Sequence, residues 1–251
     1  MFNLFQYYLG LDLGQARDYS AITLVEEPVW VESEWAWEVG LGSDHAGWRS
    51  PADLRPDQAE MASSLSFDRG RPPHPVLSVR HLERFELGTR YPDVIERVRQ
   101  LIRTPLLQGK SIAGLVDKTG VGAAVIDSFV QSGLSPIAIT IHGGSVVSPD
   151  PDRPGYRVPK RDLVSAVQVL LQNERLKISR SLPLAETLRK ELLNFRVKID
   201  PRTAHDSYEH WREGEHDDLV LATAMACWFR QWWNQHLDEA NVRTWRRVKS
   251  R

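Results

Sequence analysis

The sequence predicts a single α/β domain built on a mixed β-sheet with helices packed against it. At the start of the chain, apolar runs at residues 7–14 and 21–25 are separated by a short connection, which is typical of a β-hairpin. Further on, short apolar runs alternate with segments of helical periodicity, and that order places helices on a sheet. Of the 251 residues, 41% are hydrophobic and 26% are charged, which suffices for a substantial core in an ordinary globular chain.

The N-terminal part contains the clearest strand and the longest irregular stretch. The first strand is apolar on both faces except for Asp12 near its end, and residues 15–20 connect it to the second strand. From residue 28 to residue 75 the sequence is rich in Gly, Pro, Ser and Trp. A connection of that length predicts an insertion or irregular segment within a single domain spanning residues 1–237. Residues 238–251 form a basic C-terminal tail.

Regular structure resumes at residue 76. Apolar positions at Val79, Leu82 and Phe85 indicate a strand over residues 76–86, and Pro92 stands in the first turn of the helix that follows. The remaining elements are predicted as a strand over 112–116, a helix over 123–132, a strand over 136–141, a helix from 159, a helix over 184–195 and a last helix over 217–233.

Acidic residues at the ends of these elements are the main chemical signal. Asp12 interrupts an apolar strand, Asp117 ends another, and Asp217 and Asp218 begin an almost wholly apolar helix. Because burying an unpaired carboxylate is costly, each must be solvated, ion-paired or bound to a cation. Taken singly, each has a local explanation: a turn cap, a partner for Lys118, or the N-cap of the last helix. Ligands of α/β sheets gather beyond the carboxyl ends of the strands, so we expect the acids to meet there.

A site of this composition favours a hard divalent cation. Carboxylate oxygens select Mg²⁺ or Mn²⁺ over zinc, and the one cysteine, Cys227, lies in an apolar run that predicts a core position. Two such ions, about 3.5–4 Å apart, would stabilise the attacking and leaving oxygens of an in-line phosphoryl displacement. His216 directly precedes the aspartate pair. Its candidate roles are metal ligand, proton shuttle and loop residue, and the last of these is favoured.

Three segments in series resemble the nuclease domain of phage terminase large subunits. They are LGLDLGQ at residues 9–15 with DYSA at 18–21, LVDKTGVG at 115–122, and HDDLVLATA at 216–224. The resemblance spans nearly the whole chain and implies an RNase H-like fold of the RuvC-like superfamily. It also implies a metal-dependent endonuclease that cuts double-stranded DNA during genome packaging, using two Mg²⁺ or Mn²⁺ ions.

Carried over by position, the resemblance implies metal-binding and catalytic roles for Asp12, Asp117 and Asp218, with Asp217 close by or sharing the role. It also implies a phage or prophage origin and a place in the host cytoplasm. Terminase large subunits normally carry an ATPase motor ahead of the nuclease, whereas this chain begins at the nuclease's first strand. An excised domain, a split subunit and a stand-alone relative with another role are the three explanations left open. A separate packaging ATPase, a portal or a small terminase subunit is a candidate protein partner.

Other sequence features bear on ATP and DNA. Residues 109–111 read Gly-Lys-Ser, but Thr104 stands where a phosphate loop needs its earlier glycine, so ATP-driven translocation is not expected. The formal net charge of −1 neither supports nor excludes DNA binding. Lys118, Lys160 and Arg161 are candidate phosphate contacts, the last two at a helix start. The N-terminus lacks the basic region of a signal peptide and an apolar run long enough for a membrane span.

Three alternatives remain open from the sequence. The same fold and acids would serve a Holliday-junction resolvase or an RNA–DNA hybrid nuclease, and a DNA-binding relative without activity is the second possibility. The third is an actin- or sugar-kinase-like ATP-binding protein, whose first phosphate motif also reads apolar–Asp–apolar–Gly, as at residues 11–14. That fold needs a second such hairpin, which the sequence after Asp117 does not offer, and it leaves Asp217 and Asp218 unexplained.

Overall fold

A computed structural model describes residues 6–14, 18–27, 29–31, 47–49, 76–197 and 216–236. These residues form ten strands and five helices. The strands are β1 (Tyr7–Asp12), β2 (Ala21–Glu26), β3 (Val29–Val31), β4 (Gly47–Arg49), β5 (Leu77–Arg84), β6 (Ile112–Asp117), β7 (Ile137–His142), β8 (Ser148–Pro149), β9 (Gly155–Pro159) and β10 (Leu176–Ile178). The helices are α1 (Tyr91–Ile102), α2 (Ala123–Gln131), α3 (Lys160–Gln172), α4 (Ala185–Val197) and α5 (Asp218–His236).

Eight of the strands form one mixed sheet in the order β10-β5-β2-β1-β6-β7-β9-β8. On one side of β1, strands β2 and β5 continue in antiparallel pairing, and on the other side β6, β7 and β9 run parallel to it. Three antiparallel strands followed by parallel strands joined through helices is the arrangement of an RNase H-like sheet. The predicted fold class is therefore confirmed. Strands β3 and β4 pair separately as a two-stranded antiparallel ribbon.

Different helices cover the two faces of the sheet. On one face, which we call the α5 face, Tyr8 and Leu115 belong to a core that includes Phe229 of α5. On the opposite face, the α1 face, Leu9 of β1 packs in a core with Val94 of α1. Alternate residues of each strand therefore enter different cores, which explains why β1 is apolar at nearly every position.

Gly10 allows α5 to lie directly on β1. A Cβ atom at this position would stand 1.9 Å from the carbonyl oxygen of Ala222, so only glycine fits between strand and helix. Close by, the hydroxyl oxygens of Thr23 on β2 and Thr223 on α5 are 3.0 Å apart in a buried hydrogen bond. These contacts bring the first turn of α5 towards the carboxyl end of β1.

A β-bulge in β5 sets which of its later side chains face α5. Val25 pairs with Val79 and Leu24 pairs with His81, so Arg80 is an extra residue on the β5 side. Val79 and Leu82 consequently enter the same core although they are three residues apart. Strict alternation from Val79 would point residue 83 at the α5 face. With the bulge, residue 84 points there instead.

The element predictions are confirmed with small shifts in their ends. Strand β5 ends at Arg84, and Phe85 lies beyond it, packed against the α1-face core. Strands β8, β9 and β10 were not predicted, because they are short and β9 is flanked by prolines. The predicted irregular segment at 28–75 is described only at β3 and β4. Its remainder, the basic tail at 238–251 and the domain end at 237 lie outside the described residues. Within those residues, no helix combines the length and apolarity needed to cross a membrane.

Candidate active site

Two of the predicted acids end adjacent parallel strands on the same face of the sheet. Leu11 of β1 pairs with Val116 of β6, and the next residue on each strand is Asp12 and Asp117. Both side chains lie on the α5 face, and Asp117 is buried while Asp12 is partly buried. The two carboxyl groups are close enough for each to affect the pKa of the other.

The second pair of acids comes from the start of α5. Asp218 is the first residue of the helix and is buried, whereas Asp217 precedes it and is partly buried, with its carbonyl accepting a hydrogen bond from Leu221. Because α5 contacts Gly10 at Ala222, one turn beyond Asp218, the helix start reaches the end of β1. The four acids predicted from the sequence therefore lie together.

Burial and mutual repulsion disfavour the ionised forms of these acids. Burial, followed by the charges of Asp117, Asp217 and Asp218, raises the pKa of Asp12 well above its usual range. Burial also raises the pKa of Asp117 to about 6, against the effect of hydrogen bonds from Thr119, whose backbone N–H donates to Asp117 Oδ1 at 2.7 Å.

Arg84 and Glu191 join the acids from two further elements. Arg84 Nε donates to Asp218 Oδ2 at 2.6 Å, and the other side of the guanidinium is paired with Glu191 of α4. Burial, together with the charge of Asp218, raises the pKa of Glu191 to about 7, although Arg84 opposes the shift. Burial likewise raises the pKa of Asp218, again opposed by Arg84. Sequence reasoning missed both residues.

A partial signal for Glu191 was present in the sequence, and none was present for Arg84. Glu191 stands three residues after Leu188, on the apolar stripe of α4, so an acid there is out of place on a buried helix face. Arg84 faces the acids because of the bulge at Arg80, and the position of a bulge depends on strand pairing that the sequence pattern does not contain.

The three basic residues predicted to contact DNA occupy different settings. Lys160 Nζ lies 3.2 Å from Asp217 Oδ2, and its charge also acts on Asp117. Lys118 is paired with the buried Asp150 of the β8–β9 connection. The largely exposed Arg161 donates to the carbonyl of Ser145 at 2.8 Å. Only Lys160 contacts the acid cluster directly.

His216 is exposed, as a loop position requires, and its ring stacks edge-on against Tyr19, with ring centroids 4.5 Å apart. The guanidinium of Arg84 lies 5.0 Å from the centre of the same tyrosine ring.

After Asp117 the chain passes through a turn directly into α2, so the second hairpin that the ATP-binding alternative needs does not follow β6.

The chemistry of the donor set fits a divalent cation. Five carboxyl groups surround two cations, and this excess of negative charge is what a hard divalent cation would neutralise. As the side chains stand, no three His, Cys, Asp or Glu residues in the described part of the chain are arranged to hold a metal ion. Asp218 is held by Arg84 and Asp217 by Lys160.

Comparisons with known proteins give no close relative in sequence: the chain matches no family model and no curated protein. Among solved structures it is similar to the large terminase nuclease from the thermophilic phage G20c, at 15% identity and a TM-score of 0.45 over 88% of this chain and 80% of that one. It is also similar to a human cytomegalovirus terminase nuclease domain soaked with Mn, at 15% identity and a TM-score of 0.40 over 88% and 82%. Both are of the class that the three sequence segments resemble.

Proposed function

We propose that the chain is a divalent-metal-dependent endonuclease that hydrolyses phosphodiester bonds of double-stranded DNA, as the resemblance to terminase nucleases implies. The observation that carries the proposal is the convergence of Asp12, Asp117, Asp217 and Asp218 at one end of the central strands. Acids there need a cation to be stable in their ionised forms, and phosphoryl transfer is the chemistry that a carboxylate-held Mg²⁺ or Mn²⁺ supports.

Asp12, Asp117 and Asp218 are the residues that would hold the metal, with Asp217 sharing the role. Two ions, when bound, supply stabilisation of the negative charge that develops on the attacking and leaving oxygens. The chain's own contribution is to fix the carboxylates. The parallel pairing of β1 and β6 places Asp12 beside Asp117, and the hydrogen bond from Thr119 orients Asp117.

DNA contact is assigned first to the basic residues at the start of α3. Lys160 lies beside Asp217 at the cluster, from where its ammonium group can reach a phosphate next to the metal site. Arg161, the next residue, is exposed and can extend the contact along the backbone. Lys118 keeps its predicted phosphate contact only if its pair with Asp150 opens.

The protein partners belong to the same proposal. If the chain acts in DNA packaging, as the resemblance implies, it works with a packaging ATPase, a portal or a small terminase subunit.

Nicking of supercoiled plasmid with Mn²⁺, with Mg²⁺ or with EDTA tests the function. Wild-type protein should nick only with metal, and Asp12→Asn and Asp117→Asn should each abolish nicking, because a neutral amide of similar shape is a poor cation ligand. Glu83→Gln is the matched control, since Glu83 lies near the same end of the sheet on the α1 face. Metal-independent nicking, or full activity in both aspartate variants, would refute the proposal.

The substrate is tested by presenting linear duplex, a four-way junction and an RNA–DNA hybrid under the same conditions. We expect the linear duplex to be cut at least as fast as the other two. Preference for the junction or the hybrid would retain the metal chemistry and replace the packaging role with that of a resolvase or a hybrid nuclease.

A further inference from the structure

Arg84 and Glu191 are joined to the first turn of α5 by a closed set of hydrogen bonds. Its Nε donates to Asp218 Oδ2 at 2.6 Å and its terminal nitrogen is paired with Glu191 Oε1. The other oxygen of Glu191 accepts a hydrogen bond from the backbone N–H of Val220 at 3.2 Å. Glu191 thus satisfies one of the free N–H groups at the helix N-terminus and holds the guanidinium that holds Asp218.

This set of hydrogen bonds is well shielded from solvent. The side chains of Arg84, Glu191 and Asp218 are 16%, 7% and 6% exposed, so their contacts are poorly screened by water. The Tyr19 ring lies against the guanidinium and restricts it on a further side. A planar guanidinium held by two carboxylates and a ring has little freedom to rotate.

We propose that Arg84 and Glu191 are positioning residues that hold Asp218, and the first turn of α5, in the orientation in which Asp218 binds a divalent cation. This inference rests on the proposed metal-dependent function. Partners of this kind, which contact a metal ligand and not the metal, commonly change metal affinity by about 10- to 100-fold.

The opposite role, in which Arg84 occupies Asp218 until a metal displaces it, is disfavoured by Glu191. Glu191 holds a terminal nitrogen of the same guanidinium whose Nε holds Asp218, so moving the guanidinium away from Asp218 would distort or break this second buried pair. We therefore expect Arg84 to stay in place when Asp218 binds a metal. The two roles differ in the sign of one measurement, because a positioning residue strengthens metal binding and a competitor weakens it.

The test is Mn²⁺ binding to the full chain without DNA, followed by electron paramagnetic resonance of the free ion. Arg84→Gln and Glu191→Gln should each weaken Mn²⁺ binding by about tenfold. Arg84→Lys, which keeps the charge and loses the two-sided geometry, should recover only part of the loss. Arg97→Gln is the matched control, since it breaks an Arg–Glu pair from the α1 face of the same strand end and should leave the affinity unchanged.

Hydrogen exchange in the metal-free protein gives a second readout. Amides of residues 217–224 should exchange faster in Arg84→Gln than in wild type, and Arg97→Gln should leave them unchanged. If Arg84→Gln does not fold, Glu191→Gln, which keeps the shape of the side chain, carries both measurements.

Unchanged or tighter Mn²⁺ binding in folded Arg84→Gln and Glu191→Gln would overturn the inference, and tighter binding would identify Arg84 as a competitor. If the wild type binds Mn²⁺ and nicks DNA while the variants bind equally well, only this inference fails. If folded wild-type protein binds no Mn²⁺, the proposed function fails with it.

Discussion

Two neighbouring residues at the end of β5, Glu83 and Arg84, show that acids are compensated by basic side chains to different extents on the two faces of the sheet. On the α1 face, burial alone would raise the pKa of Glu83, but hydrogen bonds from His81 and Arg97 lower it to about 2. On the α5 face, Arg84 meets acids whose pKa values remain raised despite its charge. One face pairs its acid with enough positive charge, and the other concentrates more acid than its cations compensate. The difference indicates that the acids on the α5 face lack compensating positive charge, which a bound ligand could supply. This lack of positive charge costs stability.

The largest expected difference between the faces concerns their ion pairs. Glu27 and Arg230 form a two-pronged pair on the α5 face with side chains only 3% and 7% exposed, whereas Arg97 on the α1 face is 37% exposed. Arg230→Met should cost at least about 3 kcal/mol because it leaves a buried carboxylate, and Arg97→Met should cost less than about 1 kcal/mol. Urea unfolding of both variants measures this, and similar losses would mean that the two faces do not differ in this respect.

The second difference concerns packing. Gly10 faces α5 with no room for a Cβ atom, and Gly114 of the neighbouring strand has nothing within 4 Å of that position. Gly10→Ala should destabilise the fold by about 2–3 kcal/mol through overpacking, while Gly114→Ala should stay within about 0.5 kcal/mol of wild type. Free energies of unfolding in denaturant compare the two. A mild Gly10→Ala would show that α5 can move away from β1, and the acid cluster would then be adjustable.

The third and smallest difference is a gain in stability. Because the folded-state pKa of Asp117 (about 6) and that of Asp12 exceed the ordinary value of 3.8, these two groups hold more protons in the folded chain than in the unfolded one above that value. The stability that this pair contributes in EDTA should therefore fall as the pH rises through about 4 to 6 and beyond. Asp12→Asn should be the more stable protein at about pH 8, by roughly 1 kcal/mol or more. Thermal melts across pH measure this, with Glu83→Gln as the control that should show no gain.

The parts of the site that could be predicted from the sequence are the acids that stand out in, or directly before, an otherwise apolar element. Asp12 is an acid in an apolar strand, and Asp217 and Asp218 stand before an apolar helix, so each is visible without knowledge of its neighbours. Their meeting point also followed, because parallel strands present their carboxyl ends at one edge. The pairing of Leu11 with Val116, which sets Asp12 beside Asp117, is a register that no local pattern contains.

The rest depended on contacts between distant segments. Strand β10 has three residues and pairs with β5, and its sequence contains no apolar run long enough to predict a strand. Glu191 is visible as an acid on an apolar stripe, but its partner Arg84 is 107 residues away in the sequence. The resemblance to terminase nucleases pointed to the acids of its own motifs and contained no information about either residue.

The extra residue at Arg80 also has a consequence for how relatives of this chain should be recognised. Because the bulge absorbs one residue without changing which side chains before and after it face α5, a chain lacking that residue would present the same faces with a plain strand. The interval between Val79 and Arg84 can therefore differ by one residue between chains that present the same side chains to α5.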